Sequence, residues 1–367
     1  MKRIKPPFRA DHVGSLLRPK SIHEARAKRA KGEITADALK TIEDSEIERV
    51  IREQEDVGLH AITDGEFRRS WWHFDFFKGL DGIESYQPSQ GIQFRGMQTR
   101  AEAIKITGKI GFSSHPMREH FRFLKDHTRA VPKMTIPSPS VLHFRGGRSG
   151  ISPSVYPEMD AFFDDLAQAY RRAVRAFADA GCRYLQLDDT VWGYLCSEEQ
   201  REGARQRGDD PARLPAIYAR TINTAIAGRP GDMVITTHVC RGNFRSTWIS
   251  EGGYEPVADV LFNQVDVDGY FLEYDTDRAG GFEPLRFVPK GDKTVVLGLV
   301  TSKTGTLERK DDVRRRIDEA TRYVPLDQLC LSPQCGFAST EEGNVLTEDE
   351  QWAKLQFIVE TAREVWG

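Results

Sequence analysis

Short apolar runs of strand length alternate with amphipathic helical segments along almost the whole chain, and that order leaves few architectures open. Parallel strands can be joined only by a crossover of a dozen or more residues, usually a helix. A repeated strand–helix order therefore predicts a parallel sheet with helices packed outside it. Eight such runs are legible, at residues 10–16, 60–64, 133–136, 184–187, 233–237, 270–272, 294–300 and 329–331. Eight parallel strands can close on themselves, so the expected fold is α/β, a (β/α)8 TIM barrel. Residues 36–57, 157–180 and 348–365 carry apolar side chains at helical spacing. Gly181 suits the C-cap of the second of these helices, and Thr347 with Glu350 suits a capping box opening the third. Residues 91–112 instead alternate polar and apolar, which predicts a β-hairpin inserted after the second strand. No linker or shift in composition divides the chain, so residues 1–367 read as one barrel domain.

Composition narrows the chemistry. Fifty-two basic and 55 acidic residues give a formal net charge of -3 with no concentrated basic face, which argues against a nucleic-acid partner. No apolar stretch is long enough for a bilayer and the amino-terminal residues lack a secretory h-region, so a cytoplasmic protein with no membrane partner is expected. Five cysteines in 367 residues are too few for a disulfide framework, and in a reducing compartment such thiols hold metal, react or are simply buried. Cys182, Cys196 and Cys330 take the buried reading.

His238, Cys240, Glu273 and Cys335 each fall at or just past the C-terminal end of a strand-like run, where a barrel collects its catalytic groups. A lone cysteine is most often a small hydrophobe and a lone histidine a hydrogen-bonded core residue. Coincidence of all four at strand ends favours a shared ion. Residues two apart on a strand face the same side, so His238 and Cys240 can reach that ion together. Imidazole, two thiolates and a carboxylate suit Zn2+, and three firm ligands leave one position for substrate. Ser15, Glu66 and Asp188 lie at the ends of other runs. Paired carboxylates bind an ammonium group, and backbone N–H groups around Gly14 and Ser15 suit a carboxylate, which together describe an α-amino acid. Weaker candidates are His12, Arg18, Arg241, Asn243 and Arg245, chosen by position alone. The aromatic run Trp71-Trp72-His73-Phe74 reads as packing near the cavity mouth, with a donor platform as its functional alternative.

These motifs together give a family resemblance. His-x-Cys at His238 and Cys240, Phe271-Leu272-Glu273, and Pro333-Gln334-Cys335-Gly336 resemble the zinc-dependent, cobalamin-independent methionine synthase family, in a single-barrel form similar to its catalytic C-terminal domain. Gly14-Ser15, Asp64-Gly65-Glu66-Phe67 and Leu187-Asp188 support it. The resemblance implies that His238, Cys240, Glu273 and Cys335 hold Zn2+ and that Ser15, Glu66 and Asp188 hold homocysteine. It also shows departures. The family's folate-stacking tryptophan falls at Pro139 and its proposed proton-donating histidine at Thr301. Methyl transfer to the homocysteine thiol, forming methionine, is thus implied, with methyltetrahydrofolate, a corrinoid protein or a sulfur compound left open as donor. Two rivals share the zinc: alkyl transfer of the epoxyalkane:coenzyme M transferase kind, and a non-catalytic barrel with a structural zinc.

Overall fold

The computed structural model describes residues 3–367. At its centre is a curled, seven-stranded, all-parallel sheet in a mixed α/β fold. Its strands are β1 (Ala61–Ile62), β2 (Val131–Pro137), β3 (Tyr184–Asp189), β4 (Val234–Val239), β5 (Gly269–Glu273), β6 (Thr294–Val300) and β7 (Leu329–Pro333). Each strand pairs with the next in chain order. Every residue of β3, β5, β6 and β7 is buried, as expected for strands covered by helices on one face and by interior side chains on the other.

The expected first strand is a correction. Of residues 10–16 only Ala10 makes a parallel bridge, to Leu331, and the rest are irregular. Asp11 diverts the backbone. Its carboxylate accepts the N–H groups of Phe8 and His12, so those donors are lost to a ladder. Side chains hold the segment instead. Lys133 ion-pairs with Asp11, the Tyr184 hydroxyl donates to Asp11, and Gln186 donates to the Val13 carbonyl. On the other flank Thr63 donates to the Gly14 carbonyl and the His12 ring meets the Ala61 carbonyl. The segment thus occupies the eighth position, between β7 and β1.

The inserted hairpin also differs from its expected form. Residues 103–111 pair antiparallel with Asp81–Tyr86, ten residues before the expected start, and inside 91–112 only the short strands Gln93–Phe94 and Met97–Gln98 pair with each other. Asp81–Tyr86 is largely exposed, so it carries too weak an apolar signal to read as a strand. The helices agree closely with their patterns. They span Ala36–Val57, Met159–Asp179 and Glu348–Trp366, the second followed by left-handed Gly181 and the third opened by the Thr347–Glu350 capping box.

The Lys133–Asp11 pair, fully buried on both sides at 3.2 Å, is the main restraint on the irregular first segment. Removing one member strands a buried charge, which costs about 3–5 kcal/mol. Lys133→Met is expected to lower unfolding free energy by that amount in urea titration, and Lys133→Met combined with Asp11→Asn to recover part of it.

Candidate metal centre

Parallel register sets the site. Asp188 on β3 lies opposite His238 on β4, which lies opposite Phe271 on β5. Cys240 follows the end of β4 and Cys335 follows the end of β7, so two distant stretches of chain deliver their thiols to one edge of the sheet. The two sulfurs are 3.3 Å apart, and the ligand atoms of His238, Cys240 and Cys335 all lie within 4.8 Å of one another. All three side chains are buried.

The donor set fits zinc. Cys335, burial and the Glu273 charge, in that order, push the Cys240 thiol well above its ordinary range, so the pair resists becoming two thiolates unaided. A divalent cation among them reverses that balance, because a coordinating thiol gives up its proton outright. Sulfur and imidazole ligands together are what zinc takes. His238 is oriented for the task. Its Nδ1 lies 3.3 Å from Asp188 Oδ1, and an N–H donated there leaves Nε2 to face an ion, the carboxylate–histidine–metal arrangement.

Glu273, expected as a fourth ligand, stands outside the three-residue group. Its carboxylate accepts the Arg241 backbone N–H at 3.1 Å and a close hydrogen bond from Arg278. Burial alone would raise its pKa, but Arg241, Lys303 and Arg278 more than offset that and hold it below the ordinary carboxylate range. Sequence reading missed Arg278, although the residue sits in the loop directly after β5.

A cavity of about 550 Å³ opens over the sulfurs and brings Ser15, Glu66 and Asp188 to the same wall as His238, Cys240 and Cys335. Glu66 is 3% exposed and takes a positive φ of 62°, a conformation uncommon for a non-glycine residue and characteristic of functional sites. Its Oε1 accepts from the Thr135 hydroxyl at 2.8 Å, while buried Oε2 has no hydrogen-bond partner and only a loose ion pair with Arg69 at 3.6 Å. Burial, with Asp188 adding to it, raises the Glu66 pKa against the pull of Arg69, Arg18 and Thr135. Asp188 is less free than expected, because Gln186 and His238 both take its Oδ1.

The weaker candidates separate cleanly. Asn243 lines the cavity and bonds the Gly336 carbonyl, with Lys303 donating to its side-chain oxygen. Arg18 instead ties the carbonyls of Leu16, Ala338, Glu66 and Arg69 together, Arg241 is buried against Gly252 and Tyr254, and Arg245 is exposed. His12 belongs to the sheet interior. Trp71, Trp72 and His73 do line the cavity, whereas Pro139 and Thr301 do not.

With this geometry in view, relatives become informative. Residues 8–364 match the family described as the catalytic domain of cobalamin-independent synthase, and the chain belongs to that family. The uncharacterized protein YxjH of Bacillus subtilis is 56% identical over 366 residues, covering 100% of this chain and 96% of that one. A solved chain from Listeria monocytogenes, provisionally named a vitamin-B12-independent methionine synthase, is 47% identical with a TM-score of 0.81, and the match covers 100% of both chains. The B12-independent methionine synthase of Shewanella sp. W3-18-1, solved in complex with selenomethionine, shares the fold at 18% identity and a TM-score of 0.73 over 96% of each chain.

One glycine locks the cysteine loop to the substrate wall. A Cβ on Gly336 would sit 1.9 Å from Ser15 Oγ, so the two segments can touch only without a side chain there. Gly336→Ala is expected to cost about 1–3 kcal/mol of stability through overpacking. A lowered Tm, relieved in the Gly336→Ala Ser15→Gly double variant, checks the contact.

Proposed function

We propose that this chain is a zinc-dependent methyltransferase that methylates the thiol of a homocysteine-like amino acid to give methionine, working as one (β/α)8 catalytic unit. The observation that carries the reading is the shared cavity: two thiols and an imidazole grouped within 4.8 Å, beside a buried Glu66 oxygen that lacks a hydrogen-bond partner. His238, Cys240 and Cys335 would hold the zinc, with Glu273 adjoining. When bound, zinc would supply a deprotonated acceptor sulfur at neutral pH, where a free thiol with a pKa of about 8.5 is mostly protonated.

The remaining work falls to the protein. Glu66 Oε2 accepts the amino group of the acceptor, Asp188 orients His238 and adds negative charge to the same wall, and Ser15 lies where a carboxylate would rest. The sulfur lone pair forms the new S–CH3 bond as the bond from methyl to its carrier breaks, and the carrier keeps that electron pair. A water-poor cavity favours this displacement, since fixed dipoles replace the hydration shell of the attacking sulfur. Glu66 and Asp188 oppose the sulfonate of coenzyme M, so the amino acid is the better acceptor. A closed structural zinc site is disfavoured as well, because Glu273 is already engaged by Arg278.

Cys335→Ala is expected to purify without stoichiometric zinc, and Asp188→Asn to weaken zinc by about 10–100-fold in chelator competition, the usual cost of losing the group that orients a histidine ligand. Full zinc content in Cys335→Ala would remove the proposed centre. Loss of one charge-assisted hydrogen bond is worth about 1.5–3 kcal/mol, so Glu66→Gln should raise the KM for homocysteine roughly 10–100-fold with zinc content unchanged. Methionine formation from homocysteine, followed with several methyl donors, tests the activity itself.

A further inference from the structure

Next to the cavity over the sulfurs lies a second one of about 1190 Å³, and His73, Ile92 and Arg145 line both. His73 is 1% exposed, yet neither ring nitrogen has a hydrogen-bond partner. Buried polar atoms are nearly always paired, so an imidazole with both nitrogens free on a cavity wall marks a place where something else completes it. The ring is held rigidly, stacked on Phe74 at 4.1 Å and tilted against Trp72 at 4.6 Å. Burial, then the charges of Arg145 and Lys78, keep its pKa well below the ordinary histidine range. His73 is therefore a neutral ring that offers one donor and one acceptor.

Arg145 is the second unsatisfied group. Its Nε is buried without a partner, its one hydrogen bond is a long 3.5 Å contact to the Tyr194 hydroxyl, and among the described residues it has no carboxylate partner. Arg207, on the far wall, also has an unpartnered Nε and lies over the Phe144 ring at 5.3 Å. The one acidic side chain lining this chamber, Glu102, is already paired with Lys78 and Arg100. Aromatic walls, a neutral donor–acceptor pair and unmatched guanidinium groups describe a flat heteroaromatic molecule that carries negative charge. They oppose a sulfonium cation.

We propose that this chamber receives the methyl donor, that His73 positions the donor's polar edge at the opening toward the sulfurs, and that Arg145 anchors its anionic part. The assignment rests on the reading of the first cavity as the thiol site, and it makes His73 and Arg145 positioning and specificity residues. Neither corresponds to the tryptophan or histidine positions of the family, here Pro139 and Thr301.

The test is a fluorescence titration of zinc-loaded protein with 5-methyltetrahydrofolate and, separately, with S-methylmethionine, since Trp71 and Trp72 flank His73 and report on the opening. Saturable quenching is expected with the first ligand and none with the sulfonium. His73→Phe, which keeps the stacked ring, and Arg145→Ala should each weaken that binding by about tenfold or more, the loss of one good polar contact. Arg145→Lys should restore part of it. In steady-state assays the same variants should raise the donor KM and leave the homocysteine KM and zinc content alone, whereas Glu66→Gln should do the reverse. Donor affinity unchanged in both variants, binding of the sulfonium in preference, or no binding of the planar anion at all would each overturn the assignment. Binding that depends on His73 without methylation of homocysteine would keep the chamber and reject the thiol reading instead.

Discussion

Two buried thiols 3.3 Å apart, from strand ends nearly a hundred residues apart in sequence, are the constraint around which the rest of this structure is arranged. Such a pair has little reason to exist without a cation. Each thiol makes the other harder to ionise, and burial adds to the effect. The protein accepts that cost because parallel strands all point their C-terminal ends the same way, so residues just past β4 and β7 meet whatever the length of chain between them. Gly336 and Ser15 then pin the cysteine loop to the opposite wall, and Asp188 fixes the histidine ring.

Charge is sorted across the two cavities. Glu66 and Asp188 lie on the side of the sulfurs, while Arg145 and Arg207 face the neighbouring chamber, with His73 neutral at the opening. An acceptor bearing an ammonium group and a donor bearing negative charge would each find the matching side. Glu273 illustrates the same economy of charge: three nearby cations hold it ionised beside the centre, and Arg278 keeps its carboxylate engaged.

Much of the sheet was legible because buried parallel strands are runs of apolar residues that nothing else in a chain imitates. The strand at 294–300 coincides with its apolar run, and the helices end where their caps predict. The first segment was misread because an apolar pattern says nothing about where backbone N–H groups find partners, and Asp11 captures two of them. The insertion was misplaced since Asp81–Tyr86 is mostly exposed, which removes the alternation by which a half-buried strand is recognised. Within the site, His238, Cys240 and Cys335 were readable from their positions at strand ends. Arg278 and Arg145 were not, since a charged residue in a loop looks the same whether it meets solvent or a buried wall.

From sequence alone came the strand order, the sulfur and imidazole donors, and the family motifs, all of which depend on residue type and local spacing. Tertiary structure decided which expected ligand stands apart, which carboxylate oxygen is left without a hydrogen bond, and which histidine has no partner. Those properties depend on distances between segments remote in the chain, and local pattern carries no information about them.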